Sequence, residues 1–374
     1  MAKRFLLVTE EWAGSGHQMA AMALHEVLGA KAGTESTRVV GGLMTASPAL
    51  RELSRFFYAS MLRYAQPFWQ RVYEQDQLWG RALKKPLGWW LSQRLMDSLL
   101  VEEKPDVVIA THAYCLSALA LAKQKLDKPF HLVSIPTDFH INGFWVHPQI
   151  DTYMVAHEQV AEKLIRYYQV DTSKIQVLGI PIRPAFGMAA KTDKVSWKKQ
   201  LGLAEDQFTV LVCGGEGGYG GIAKVVQALA KEKEPMQIIV ITGKNSDLYT
   251  HLHHWLINNP SFHEIRLKGF EPQMWQWMGA ADVFISKPGG ISCAEALALR
   301  TPLIMYQPLP GQEKNNCSFL LNQQAALFAK DPEEICAMVK QRRYEQQEDK
   351  ITDRMEQVRR PEAAQQIAEY LLQL

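Results

Sequence analysis

The stretch "VFISKPGGISCAEAL", Val283 to Leu297, sets the reading of the whole chain. Four apolar or small residues end at Ser286, Pro288 bars further sheet pairing, and Gly289 and Gly290 let the backbone turn sharply. Apolar residues then return at helical spacing. This is a buried strand, a glycine turn and a helix, the repeating unit of a parallel α/β sheet. The same unit recurs on both sides. "FTVLVCGGEGG" and "MQIIVITGKN" precede it, and "TPLIMYQPLPG" follows. Residues 188–355 therefore read as one doubly wound domain.

The first half repeats the plan. Strands are expected at Phe5–Thr9, Arg38–Leu43, Asp106–Thr111, Phe130–Ile135, Thr152–Ala156 and Ile175–Leu178, with helices over 17–29 and 158–168. "PIRPAFGMAAKTDK" marks a hinge by its prolines, glycine and polar run. Residues 1–187 form the first domain, and 356–374 close the chain with an amphipathic helix. Two such domains are expected to face a cleft. In open α/β sheets ligands sit beyond the carboxyl ends of the strands, where every one of these glycine loops lies.

Composition narrows the function classes. The chain has 374 residues, 47% hydrophobic and 21% charged, with a formal net charge of +2, so no global affinity for nucleic acid is implied. Its five cysteines are scattered without a C-x-x-C, which points to reduced thiols and a cytoplasmic setting, not to a disulfide frame or zinc site. The apolar run after Lys3 and Arg4 ends at Val8, too short for a signal segment, and no run reaches the length of a spanning helix.

Residues 51–100 are distinct. They hold ten aromatics, against 10% for the chain, and eight basic side chains against four acidic. "LWGRALKKPLGWWLSQRL" mixes Trp79, Trp89 and Trp90 with Lys84 and Lys85, the pattern of a helix lying on an anionic lipid surface. A plainer reading makes these aromatics the core of a helical insertion.

The loops carry the chemistry. After Ser286, the Gly289–Gly290 turn brings backbone close to a ligand. The free N–H groups of the helix that follows suit a diphosphate. Glu295, about one turn in, can accept from the vicinal hydroxyls of a ribose. "PLPGQEKNN", Pro308 to Asn316, adds Gln312, Glu313 and Asn316, a set suited to polyol hydroxyls. A diphosphate–ribose site beside a sugar site suggests a nucleotide sugar. "CGGEGGYGG" has six glycines in nine residues, including Gly215 beside Glu216, and lacks the Gly-Lys-Ser/Thr of a P-loop.

In the first half, "EEWAGSGHQMA" fails the dinucleotide fingerprint, since Met19 stands at its third glycine position. His17 is placed there to take a proton from an attacking hydroxyl, unless it merely caps its own helix. Asp138, in "IPTDFHINGFWVH", follows a buried strand and could be the base or orient His17. His140 and His147 do not have metal-site spacing. "HLHHW" reads as helix surface.

Together "KPGGISCAEALA", "PLPGQEKNN", "TGKN", "GIPIRPAF", "PTDFH", "GSGHQMAAMAL" and the aromatic insertion resemble the diacylglycerol glycosyltransferases. These are the bacterial processive β-glucosyltransferases and plant monogalactosyldiacylglycerol synthases of glycosyltransferase family 28. The resemblance spans nearly the whole chain. It implies a GT-B fold, two Rossmann-like domains with a final helix returning to the first.

It also implies inverting transfer of a hexose from a UDP-sugar to diacylglycerol, with no cofactor and no essential metal. The enzyme would be peripheral on the inner face of the cell membrane, with UDP-glucose and UDP-galactose both open as donor. By the same resemblance Gly289, Gly290 and Ile291 contact the diphosphate, Glu295 the ribose, and Gln312, Glu313 and Asn316 the sugar. Gly215, Glu216 and Gly243 complete the donor site, and Phe270 flanks the uracil. His17 and Asp138 face the acceptor, with Gly16 beside them, and Trp79, Lys84, Lys85, Trp89 and Trp90 meet the membrane. The rival readings are N-acetylglucosaminyl transfer to a polyprenyl-linked or other acceptor, and a UDP-sugar-binding regulator.

Overall fold

A computed structural model describes residues 3–10, 15–42, 45, 52, 99–126, 129–344 and 350–374. The aromatic and basic insertion, with Trp79, Lys84, Lys85, Trp89 and Trp90, lies outside the described residues. The chain divides into two compact units. One comprises 1–184, 310–312 and 362–374, the other 185–309 and 313–361.

The described strands of the first unit are β1 (Phe5–Thr9), β2 (Thr37–Gly41), β3 (Val107–Ala110), β4 (His131–Ser134), β5 (Thr152–Val155) and β6 (Ile175–Val177). They pair in the order 2-1-3-4-5-6, and every pairing is parallel. Parallel strands are covered on both faces, which is why β1, β3 and β5 are buried along their whole length.

On one face lies α1 (Ser15–Ala32), whose Ala21, Leu24, Val27 and Leu28 recur at helical spacing. The final helix, α13 (Ala363–Gln373), packs beside it through Ala364, Ile367, Ala368 and Leu371 in one core cluster. A surface ion pair, Lys31 to Glu369 at 2.7 Å, adds little to that burial. The other face is covered by α2 (Ala113–Lys123) and α3 (Glu158–Arg166), through Leu116, Leu119, Val160 and Leu164.

The second unit opens with α4 (Pro184–Ala189) and α5 (Lys194–Gln200). Its strands are β7 (Thr209–Cys213), β8 (Gln237–Ile241), β9 (Glu264–Lys268), β10 (Val283–Ser286), β11 (Leu303–Tyr306) and β12 (Leu327–Ala329). They form a second parallel sheet in the order 12-11-10-7-8-9. The intervening helices are α6 (Ile222–Leu229), α7 (Ser246–Asn258), α8 (Met274–Ala280), α9 (Gly290–Leu299), α10 (Gln312–Asn322), α11 (Pro332–Tyr344) and α12 (Lys350–Val358). The expected strand–loop–helix units are all present. "HLHHW" is helix surface, since Leu252 is the buried residue of α7. All five cysteines are free and buried. No helix among the described residues is long and apolar enough to cross a membrane.

In both sheets the strand order reverses once, between β1 and β3 and between β7 and β10. These are the topological switch points at which open α/β sheets bind ligands.

One polar cluster ties the second unit's first helices to its sheet. Asp282 accepts from Thr209 N at 2.8 Å, from Lys194 Nζ at 2.7 Å and from Lys198 Nζ at 2.9 Å. Lys198 is almost fully buried. Burial alone would raise the Asp282 pKa, but the two lysines outweigh it and hold the carboxyl below its usual range. Its contribution is therefore full above the ordinary aspartate pKa and is lost as the pH falls through the lower folded value. Asp282→Ala leaves Lys198 buried without its counter-charge and should cost about 3–5 kcal/mol in urea unfolding.

Candidate functional site

In the first unit, the loops that leave β1, β3 and β4 converge on His17, the third residue of α1. His17 Nδ1 lies 2.8 Å from the Thr111 carbonyl oxygen and 2.8 Å from Thr137 Oγ1. A carbonyl can only accept, so Nδ1 carries the hydrogen and Nε2 keeps the lone pair. Nε2 makes no hydrogen bond among the described residues. The Thr111 hydroxyl donates to the His17 carbonyl at 3.0 Å, closing a second link between the same two residues. The ring therefore does not cap its own helix. It is clamped to the ends of two other strands.

His112 stands edge-on to His17, ring centroids 4.5 Å apart at 88°, and Trp145 lies 6.4 Å away. His112 caps α2 by accepting from Tyr114 N at 3.3 Å. Burial lowers the His17 pKa to about 4, against an opposing effect of the Thr111 carbonyl. Burial, then the neighbouring His17, push His112 well below the usual histidine value. Both rings are neutral at pH 7. Asp138 follows Thr137 on the β4 loop and is partly buried. The orienting bonds to the His17 ring come from Thr111 and Thr137 instead. Gly16 precedes His17 in the first turn of α1. His140 accepts from Lys163 Nζ at 2.8 Å, and His147 from Gln149 N at 3.2 Å.

In the second unit the loops after β7, β8, β10 and β11 interlock. Lys244 N donates to the Glu216 carbonyl at 2.7 Å, and Asn245 Nδ2 to that of Gly217 at 3.1 Å. Glu216 and Lys244 also pair through their side chains, and Lys244 Nζ lies 5.3 Å from the exposed Phe270 ring's centre. Gly243 adopts φ +65°, and a Cβ there would fall 2.3 Å from the Glu216 carbonyl oxygen. Only glycine lets these two loops touch.

Gly289 caps α9 with no side-chain bond to the first turn, so the leading N–H groups at Gly290 and Ile291 lack a side-chain cap. Glu295 is the sixth residue of α9 and is buried, 7% exposed. Asn316, fully buried, donates to the Pro288 carbonyl at 3.1 Å and so fixes α10 against this turn. Gln312, at the start of α10, is partly exposed. Glu313 is buried. Its Oε2 accepts from Leu309 N at 2.9 Å, and its Oε1 pairs with Lys287 Nζ.

Lys287 received no role from the sequence, nor did Thr111, His112 or Thr137. The available signal was positional. Each follows directly, or within three residues, the last residue of a strand, and for Lys287, Thr111 and His112 that strand borders a switch point. Three strand-end hydroxyls, those of Thr9, Ser134 and Ser286, are buried without a hydrogen-bond partner among the described residues. Buried polar groups are rarely left so, and a strand's carboxyl end is where a polar ligand would satisfy them.

Both halves of the chain match known families. Residues 17–182 match the family described as monogalactosyldiacylglycerol (MGDG) synthase, and residues 209–369 the glycosyltransferase family 28 C-terminal domain. The chain is 28% identical to the processive diacylglycerol beta-glucosyltransferase of Bacillus licheniformis, over 90% of this chain and 86% of that protein. It is 29% identical to the Bacillus pumilus protein of the same name, with the same coverage. The fold is similar to that of Acinetobacter baumannii MurG, with a TM-score of 0.64 and 16% identity over 99% of this chain and 100% of that one.

Two measurements check the site. The His17 ring should show the Nδ1–H tautomer by nitrogen NMR and stay neutral down to about pH 4. Its folded pKa lies below the unfolded value, so the stability it confers is full above about pH 6.5 and is lost as pH falls toward the folded value. Gly243→Ala should lower the melting temperature and cost about 2 kcal/mol or more, because both its φ and the Glu216 backbone oppose a methyl group.

Proposed function

Because the chain belongs to the diacylglycerol glycosyltransferase family, we propose that it moves a hexose from a UDP-sugar to the free hydroxyl of diacylglycerol. The observation that carries this reading is the His17 tautomer. A neutral imidazole with its lone pair on Nε2 and its other nitrogen tied to a backbone carbonyl is ready to accept a proton.

The second unit holds the donor. Backbone N–H groups of Gly290 and Ile291 at the start of α9 meet the diphosphate. Glu295 takes the ribose hydroxyls, and Phe270 flanks the base. Gln312, Glu313 and Asn316 hold the sugar, and the interlocked glycines Gly215 and Gly243, with Glu216, shape the floor beneath it. A carboxylate has about four lone-pair sites, so Glu313 can accept from a sugar hydroxyl while keeping its bond from Leu309 N.

In the reaction the acceptor oxygen attacks the anomeric carbon in line and with inversion. His17 Nε2 takes the hydroxyl proton, while Thr111 and Thr137 hold the ring in register. Asp138, next to Thr137 in the chain, is assigned with it to the acceptor side, as base or as an aid to the base. The bond from the anomeric carbon to the phosphate oxygen breaks, and UDP leaves with its electron pair. The reading asks for no metal, since backbone amides receive that charge. The membrane step falls to residues 51–100, whose Trp, Lys and Arg composition suits an anionic surface. The enzyme is then peripheral on the cytoplasmic face. A base held in its proton-accepting tautomer has no use in a UDP-sugar-binding regulator, and favours the enzyme.

The test is a transfer assay with diacylglycerol in anionic vesicles, parallel UDP-glucose and UDP-galactose, and EDTA present. Product from one donor names the sugar. No product from either, with UDP binding intact, would sink diacylglycerol as the acceptor. His17→Ala should lower kcat by about a hundredfold or more while leaving UDP affinity unchanged. Full activity in both His17→Ala and Asp138→Asn would overturn the assignment of the base.

A further inference from the structure

Lys287 is a cation that the second unit builds in at the end of β10, beside its switch point, and the donor site as proposed above does not use it. Its stem is walled by three glycines from two loops, those after β7 and β10. A Cβ on Gly215 would lie 3.6 Å from Lys287 Cε, one on Gly220 3.7 Å from its Cβ, and one on Gly289 3.5 Å from Nζ. The ammonium is thus set among backbone, at the turn into α9, with only 18% of the side chain exposed. Its partner is Glu313 Oε1, brought in from α10. The hydroxyl of Ser286, the preceding residue, is buried with no hydrogen-bond partner among the described residues. The charge of Lys287 also reaches the end of β7. Burial pushes the Cys213 thiol up to about 11, with Glu295 adding to the rise and the Gly215 backbone and Lys287 opposing it.

A lysine needs a counter-charge when it is this far out of water, and Glu313 supplies one in the unliganded protein. A carboxylate shared with a backbone N–H is a modest partner. A diphosphate at the same glycine-walled turn presents more charge and several acceptor oxygens. We propose that Lys287 changes partners when donor binds: its ammonium passes from Glu313 Oε1 to the diphosphate, and the released oxygen is what receives a sugar hydroxyl. Lys287 is then a catalytic residue. It neutralises charge on the phosphate oxygen as that oxygen takes the electron pair of the breaking anomeric bond, while the acceptor proton goes to His17. The exchange also makes sugar recognition conditional on the diphosphate. It rests on the proposal that this unit binds a UDP-sugar.

The test is calorimetric binding of UDP, uridine and the UDP-hexoses to the full-length protein and three variants. Lys287→Gln should weaken UDP by about ten- to a hundredfold, the range for a charged hydrogen bond, and leave uridine unchanged. Lys287→Arg should recover most of the loss. Glu313→Gln frees the ammonium, and should bind UDP as tightly as wild type or more so, while losing the added affinity for UDP-hexose. Equal UDP binding by Lys287→Gln and wild type would overturn the exchange. So would equal weakening of UDP in Glu313→Gln and Lys287→Gln, since the pair would then be only a brace. Loss of uridine together with UDP in Lys287→Gln would also overturn it. A wild-type protein that binds neither UDP nor uridine would instead remove the donor reading itself.

Discussion

Where a parallel sheet reverses its strand order, adjacent strands send their chains to opposite faces, and the carboxyl edge between them is left uncovered. Both sheets here do this once, at β1/β3 and at β7/β10. The uncovered edge cannot be closed with apolar side chains, because strand-end backbone groups need partners. Each unit meets that need differently. The first brings in an imidazole, which bonds the Thr111 carbonyl where β3 ends. The second brings in glycine turns whose backbones bond one another, with a lysine in their midst. The candidate chemistry of both units follows from what fills that edge.

The electrostatics of the two fillings are opposite. Around His17 the partners are a carbonyl, a hydroxyl and aromatic rings, and no charged group contributes to its lowered pKa. Burial outweighs the carbonyl, so the ring stays neutral. Around Lys287 the partners are ionic, and a glutamate is buried with it. A base must be uncharged before it acts, which a dry neutral setting enforces. A site for a dianion needs a standing positive charge, which can be kept in a partly dry setting only if it is paired meanwhile.

How far these features were legible in the sequence depends on the range of the interactions that make them. The strand–glycine–helix units are local. "FISKPGG" and "VLVCGG" announce a strand end by apolar run, proline and glycine, and the structure ends a strand at both, at Ser286 and at Cys213. The helix-surface reading of "HLHHW" is equally local, a matter of periodicity. The position of His17 at a loop–helix junction was also local, and the sequence left open whether it capped its own helix. Its clamp was not local. Thr111 and Thr137 are 94 and 120 residues away, and only the pairing order 1-3-4 brings the ends of their strands to the helix that follows β1. Glu313 was read as a sugar ligand from its polar neighbours, but its pairing with Lys287, 26 residues earlier, depends on β10 and β11 lying side by side. Glu295 was placed correctly in the helix, yet its burial is a property of tertiary packing.

A pKa near 4 at first sight makes His17 a poor base, since efficiency peaks when the catalytic pKa approaches the working pH. The value belongs to the protein without substrates. Its largest cause is desolvation, which penalises the imidazolium only while no negative charge is near. In the proposed transfer the acceptor hydroxyl closes the gap from its own side, since its proton becomes acidic as its oxygen bonds to the anomeric carbon. The low resting value then has a use. It keeps the ring from being protonated by solvent before donor and acceptor are both present, so the lone pair is still available when the proton becomes transferable.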